Sequence, residues 1–120
     1  MNILMYQYEM IKRTREPLFR MCETMSPASY LHTLEALGGE SIRNLQVHVS
    51  DCYRIWLGVR GLGRSIPKLK PESIRDVQEM RALFTKTDLL VHEFLHRGQI
   101  TKIARILGTI PPKMSLSKIK

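Results

Sequence analysis

Hydrophobic residues recur at helical spacing along almost the whole chain, and no alternating pattern typical of strands persists. The first apolar stripe covers about residues 4–25 and predicts a first helix. Pro17 lies inside this stripe, so we expect a kink or a break there. Ser26 is placed to cap, and Pro27 to open, a short following helix that reaches about Leu37.

A second long helix is predicted from about Ile42 to Val59, with Ser41 as its N-cap. A basic, glycine-bearing linker follows over residues 61–70. The apolar stripe of this helix, which we expect to face the core, consists of Ile42, Leu45, His48 or Val49, Cys52, Trp56 and Val59.

Pro71 and Glu72 predict the start of the next helix, with an acid near the positive end of its dipole. No turn signal interrupts the pattern before Gly108, and Pro111 with Pro112 is expected to end it. Residues 72–107 therefore predict one very long helix. Its apolar positions are Ile74, Val77, Met80, Phe84 and Val91, followed by a second stripe of Leu89, His92, His96, Ile100, Ile103 and Leu107.

The composition is that of a small globular protein, and the helical periodicity predicts that its fold is all-α. At 120 residues, of which 43% are hydrophobic, we expect one domain over residues 1–120. No apolar run approaches the roughly 18 residues that a membrane-spanning helix needs. The first ten residues lack a basic start followed by an apolar stretch, so we expect a cytoplasmic protein. Cys22 and Cys52 stand singly and are expected to be free thiols.

A net charge of +8 raises the question of nucleic-acid binding. Residues 97–120 form a basic tail with no acid among them. No aromatic residues suited to base stacking are interleaved with these charges. We therefore favour a solvated basic tail and keep weak nucleic-acid binding as the less favoured alternative.

The histidines carry the strongest chemical signal. His92 and His96 are spaced i, i+4, so they project from one helix face about one turn apart. His48 lies on the apolar stripe of another helix, and His32 is expected at the surface. Buried imidazole nitrogens need partners, and one divalent ion would satisfy three rings at once. The sequence therefore predicts a metal site of His48, His92 and His96; ordinary hydrogen-bonded core histidines are the alternative.

The segment His92–His96 also matches HExxH, the zinc-protease motif in which the glutamate is the general base. Such proteases need a third ligand, commonly downstream, yet no His, Asp or Glu follows His96. Glu93 has a simpler role as an i, i+4 partner of Arg97. We therefore reject a protease.

Two blocks of the sequence resemble the DinB/YfiT-like family. The segment His92-Glu93-Phe94-Leu95-His96-Arg97-Gly98-Gln99 is similar to that family's closing His-x-x-x-His-Arg-Gly-Gln. In the other block, His48 is followed about two turns later by Trp56. The opening Met5-Tyr6-Gln7-Tyr8 and the late Leu107–Pro111 also fit, so the resemblance covers nearly the whole chain in order.

The resemblance implies a four-helix bundle that forms a homodimer, with a three-histidine divalent-metal site open to solvent. Its better understood members resemble thiol S-transferases, which use the metal to activate a low-molecular-weight thiol for attack on an electrophilic small molecule. Carried over by position, His48, His92 and His96 are the ligands, and the metal is Zn, Ni or Fe. Asp51 and Gln99 would support the ligands from behind, Asp51 by holding the other ring nitrogen of His48; solvation of Asp51 at the surface is the alternative.

The chain departs from the family where Val91 runs directly into His92. Family members have a few dozen residues between the third helix and the final histidine helix. Either residues are absent at this junction, or the two helices merge and exchange with a partner chain. Two functions remain besides the nucleic-acid alternative: a metal-dependent enzyme, thiol S-transferase-like or hydrolase-like, or a non-catalytic dimeric stress-response module with a structural or vestigial metal.

Overall fold

The computed structural model describes residues 3–108, and these form an all-α chain. The helices are α1 (Ile3–Thr24), α2 (Pro27–Leu31), α3 (Ile42–Tyr53) and α4 (Val77–Ile106). A π-helical segment, Arg54–Gly61, continues α3, and 3₁₀ turns cover Glu35–Leu37 and Pro71–Ser73. Within residues 3–108 there is no strand, only an isolated bridge between Leu34 and Glu40. The predicted stop at Pro111 and Pro112 lies outside the described residues.

Side-chain caps begin the shorter helices where the sequence predicts them. The Ser26 hydroxyl accepts a hydrogen bond from the Ser29 backbone N–H at 3.1 Å, and Pro27 opens α2. The Ser41 hydroxyl accepts from the Asn44 N–H at 3.0 Å and starts α3. Both predicted caps are therefore confirmed.

The structure narrows one detail of the predicted helices and corrects another. α1 continues through Pro17, so of the predicted kink or break the break does not occur. The long helix begins at Val77 and not at Pro71, because Pro71 forms only a 3₁₀ turn and the Asp76 carboxylate caps the helix by accepting from the Glu79 N–H at 2.8 Å. From Val77 the helix runs unbroken to Ile106, so the single long helix predicted for residues 72–107 is present from Val77 onward.

α4 is the central element and packs against both α1 and α3. α1 runs antiparallel to it, as the pairs Tyr8–Asp88 and Glu16–Arg81 show. α3 and its π-helical continuation run parallel to α4. Their contact is close: a Cβ on Gly58 would lie 2.5 Å from Ile66 Cδ1 and 2.8 Å from Leu90 Cδ2, so a larger residue here would have to displace the ends of these two side chains.

The core lies between the three long helices. It consists of Phe19, Cys22, Tyr30, Val47, Val77, Met80, Leu83 and Phe84. A buried polar contact joins α3 to α4, where the hydroxyls of Ser50 and Thr87 lie 2.9 Å apart. The described residues span 56 × 28 × 23 Å. No helix in the range 3–108 has the length and apolar content to cross a membrane.

Candidate functional site

His92 and His96 lie one turn apart on α4, as their spacing predicts. Their ring centroids are 6.3 Å apart and the rings are nearly perpendicular. With Zn–N bonds of about 2.0–2.1 Å, two imidazoles bound tetrahedrally to one ion place their centroids roughly 5 Å apart. The two rings therefore lie about 1 Å further apart than such a site requires, and they would have to turn toward each other to share an ion. His92 is about one-third exposed and His96 is exposed, so the pair opens to solvent.

The His92 ring is held by groups from α1. Its Nε2 lies 2.9 Å from Glu9 Oε1, and Lys12 contacts the same carboxylate oxygen at 3.5 Å. The Tyr8 ring meets the imidazole edge-on at a centroid distance of 6.2 Å. These contacts fix the orientation of His92, because its ring nitrogen and its face each meet a partner.

A half-buried polar network lies one turn below His92. The Tyr8 hydroxyl donates to Asp88 Oδ1 at 2.5 Å, and both Nη atoms of Arg15 donate to the same oxygen at 3.0 Å. Burial raises the pKa of the Tyr8 phenol, and the Asp88 carboxylate raises it further. Tyr8 therefore stays protonated and acts as a donor. The sequence analysis did not single out this network. The signal that could have found it is the spacing of polar residues: Tyr8 and Arg15 are i, i+7 on α1, and Asp88 and His92 are i, i+4 on α4.

His48 lies on α3, away from this pair. It is exposed, and its Nε2 lies 3.7 Å from the Sγ of Cys52, which is one turn further along the same helix. It lines a shallow depression together with Lys68 and Leu69. Within residues 3–108 no group of three or more histidine, cysteine, aspartate or glutamate side chains is placed to hold a metal ion. The single chain therefore brings together two of the three predicted ligands.

The two predicted supporting residues have different surroundings from those expected. Asp51 is buried, and its carboxylate accepts a hydrogen bond from Arg54 Nη1 at 2.9 Å. Asp51 lines the same depression as His48, but its carboxylate is bonded to Arg54 and no hydrogen bond joins it to the His48 ring; Arg54 also donates to the carbonyl of Pro67. Gln99 is partly buried and lines an apolar depression between the ends of α1 and α4, with Ile3 and Leu4. It lies about two turns beyond His92 on α4.

Glu93 forms the pair that the sequence predicts. Its carboxylate lies 3.6 Å from Arg97 Nη2, and it also pairs with Arg64 from the linker. His32 is exposed at the end of α2, as expected.

The apolar stripes that carry the histidines face solvent. We call Leu45, His48, Val49, Cys52 and Trp56 the α3 stripe, and Leu89, His96, Ile100, Ile103 and Leu107 the α4 stripe. All these side chains are exposed. The prediction that His48 and His96 face a core is therefore wrong for the single chain. The cause is that α3 and α4 bury their opposite faces against each other, through residues such as Ser50 and Thr87.

The exposure of the α4 stripe is large. Leu89 is 67% exposed, Ile100 68% and Leu107 77%.

In comparisons with known proteins, no family model, curated protein or solved structure matches the chain. The resemblance of the two histidine blocks to DinB/YfiT-like proteins stays a prediction.

Proposed function

We propose that the protein binds one divalent metal ion per chain through His48, His92 and His96, and that it is a DinB/YfiT-like, metal-dependent transferase or hydrolase. The observation that carries the proposal is the His92–His96 pair. Two solvent-open imidazoles on one helix face, one of them held by a carboxylate, supply the type of donor set that catalytic sites for divalent ions use, and a small rotation of the rings from their 6.3 Å separation would let them share an ion.

The residues around the pair fit this role. A carboxylate on one ring nitrogen of a ligating histidine orients the ring and makes the other nitrogen a stronger ligand. Glu9 occupies Nε2 of His92 in this way, so Nδ1 is the nitrogen left for the ion. The half-buried Arg15–Asp88 pair and Tyr8 anchor α1 to α4 beside His92 and keep Glu9 in place.

A divalent ion with an open coordination position lowers the pKa of a bound thiol or water, so that a nucleophile forms near neutral pH. Three imidazoles leave such a position, whereas structural zinc sites are closed by four protein ligands. The substrates that fit this chemistry are a low-molecular-weight thiol with an electrophilic small molecule, or a bond hydrolysed by water. Imidazole ligation suits Zn, Ni and Fe alike.

Metal analysis tests the proposal. Protein purified without a histidine tag is expected to retain a stoichiometric divalent metal, and His92→Ala and His96→Ala are expected to lose it. His32→Ala removes an exposed histidine outside the site and should keep the wild-type metal content. Full metal retention by His92→Ala would overturn the assignment.

A second function, a non-catalytic dimeric module with a structural or vestigial metal, is favoured by the solvent-exposed α3 and α4 stripes. Large apolar patches on a soluble chain commonly mark interaction surfaces. Turnover of a generic electrophile with a panel of thiols separates the two functions. Metal-dependent turnover that disappears in His92→Ala supports the enzyme. If the metal-loaded protein catalyses neither the attack of a thiol on the electrophile nor its hydrolysis by water, the result supports the non-catalytic module.

A further inference from the structure

His48 and Cys52 form a pair of exposed donors one turn apart on α3. Both lie within the α-helical part, Ile42–Tyr53, before the π-helical segment begins. Nε2 of His48 is 3.7 Å from Sγ of Cys52. Among residues 3–108 neither side chain has another hydrogen-bond or ion-pair partner, so neither donor atom is committed to a third group.

The distance between these two atoms is close to that between two ligands of one metal ion. With a Zn–S bond of about 2.3 Å, a Zn–N bond of about 2.0–2.1 Å and a tetrahedral angle, sulfur and nitrogen on the same ion lie roughly 3.5–3.6 Å apart. The observed 3.7 Å agrees with this value to about 0.2 Å. The pair can therefore chelate an ion with its side chains almost as they stand.

The types of donor decide which ion fits. A thiolate is a soft ligand and imidazole suits zinc and copper, so the pair favours Zn²⁺, Cu⁺ or Cd²⁺ over Mg²⁺ and Ca²⁺, which take oxygen ligands. The metal replaces the thiol proton of Cys52, and that proton passes to solvent. Because both donors are exposed, solvent water or a small thiol can fill the remaining coordination positions.

We propose that His48 and Cys52 bind one soft or borderline cation of the zinc class as a two-ligand site on α3, separate from the His92–His96 pair. Asp51, the carboxylate nearest in sequence, is bonded to Arg54 and is not a third ligand. The proposal does not rest on the proposed function. An ion held here occupies His48, so the two sites compete for that histidine.

The helix, and not the thiol alone, makes this site. Side chains at i and i+4 are neighbours only while α3 is helical. The unfolded chain has the same thiol and imidazole without this spacing. A cation that bridges the pair therefore binds the folded chain more tightly than the unfolded chain and raises the unfolding temperature, whereas a cation on one exposed thiol does not.

Cadmium titration tests the site in the double variant His92→Ala/His96→Ala, which removes the pair on α4 and keeps α3 unchanged. Cd²⁺ is the probe because charge transfer from thiolate to cadmium absorbs in the ultraviolet and reports sulfur ligation. We expect one Cd²⁺ per chain with this absorption, and an unfolding temperature that rises with Cd²⁺ concentration. Cys22 is 2% exposed and does not contribute in the folded chain.

Two single changes in the same background remove one ligand each. Cys52→Ser is expected to lose the charge-transfer absorption and the rise in unfolding temperature. His48→Ala keeps the thiol, so some absorption remains, but its affinity for Cd²⁺ should fall by about tenfold or more and the temperature rise should disappear.

The matched control moves the thiol and keeps His48. Met10→Cys/Cys52→Ser places an exposed thiol on α1, at a position that is 42% exposed and has no His, Cys, Asp or Glu three or four residues away. It should bind Cd²⁺ through sulfur without a rise in unfolding temperature.

The outcomes decide the proposal without reference to the metal at His92 and His96, because that pair is absent from every protein in the titration. No temperature rise in the double variant, or an equal rise in the control with the moved thiol, overturns the site and leaves an adventitious thiol contact only. A Cys52→Ser protein that keeps the rise also overturns it. The metal content of wild-type protein and of His92→Ala alone tests the proposed function separately.

Discussion

The two halves of α4 have similar sequence patterns but very different surroundings. Both halves repeat aliphatic residues at spacings of three and four. In Val77–Val91 most of these residues are buried against α1 and α3, and Met80 is fully enclosed; Leu89, 67% exposed, is the large exception. In His92–Ile106 none is buried, and Ile100 and Ile106 are 68% and 74% exposed. The difference shows that an amphipathic pattern predicts which side of a helix is apolar, while burial requires another element within reach.

The largest expected effect comes from shortening one apolar side chain to alanine in each half of α4 and comparing the loss of stability. Met80→Ala is expected to lower the free energy of unfolding by about 2–5 kcal/mol, because it leaves a cavity in a closed core. The matched change Ile100→Ala should cost less than about 0.5 kcal/mol in dilute protein. Its cost should grow with protein concentration if the α4 stripe is covered by a second copy. Urea denaturation at two protein concentrations measures both; equal losses for the two variants in dilute protein would contradict the comparison.

A buried hydroxyl in the packed half has the next largest expected effect. Thr87 donates to the Leu83 carbonyl at 2.9 Å, so the Ser50 hydroxyl donates to Thr87. Thr87→Val leaves that hydroxyl unpaired in the core and is expected to cost about 1–3 kcal/mol. Thr85→Val is the control: Thr85 makes the same bond one turn back, to Arg81, but is exposed. A stability loss as large in the control would show that the buried contact is not the cause.

The boundary between the halves can be probed at Tyr8. Tyr8→Phe keeps the ring against His92 and removes the hydrogen bond to Asp88, which retains Arg15. We expect the free energy of unfolding to fall by about 0.5–1.5 kcal/mol, as measured by thermal or urea unfolding. Tyr6→Phe changes a tyrosine that is 58% exposed on the same helix and should have no measurable effect. If Tyr8→Phe leaves the free energy of unfolding unchanged, Arg15 alone joins α1 to α4 here.

The smallest expected effect is a pH dependence of the packed half. Arg81 donates hydrogen bonds to Glu16 and Glu23, and these bonds hold the pKa of both carboxyls below the ordinary value of 4.5. A lowered folded-state pKa stabilises the protein above pH 4.5, and the stabilisation is lost as pH falls through the lowered values. Arg81→Met should therefore be less stable than wild type near neutral pH, with the difference shrinking in acid.

The control for that experiment is Arg13→Met, which makes the same change in net charge at an exposed position of α1. Its stability should follow the wild-type pH profile measured by thermal unfolding from neutral pH down to about pH 3. A difference between Arg81→Met and wild type that persists unchanged below the carboxyl pKa values would assign the effect to the Arg81 stacking on Phe19.

Much of the fold follows from local chemistry that a sequence displays. Ser26 and Ser41 are predicted caps because their hydroxyls replace missing backbone acceptors, and the structure confirms both. The continuous helix through Val91 and His92 is also predicted, since no glycine or proline interrupts it before Gly98. The start at Pro71 is wrong because proline is compatible with a helix but does not require one, and the Asp76 cap three residues before Glu79 sets the start of the helix.

The candidate site also combines features that the sequence determines with features that only the tertiary structure decides. The i, i+4 spacing of His92 and His96 places both rings on one helix face whatever surrounds the helix, so the sequence alone determined that pair. The sequence also determined the all-α class and the apolar stripes of α3 and α4. Only the tertiary structure decided that these stripes face solvent, that Asp51 pairs with Arg54, and that Glu9 of α1 reaches His92. The physical reason is that periodicity repeats within one helix, whereas burial and the meeting of distant side chains depend on which helices pack together and with which faces.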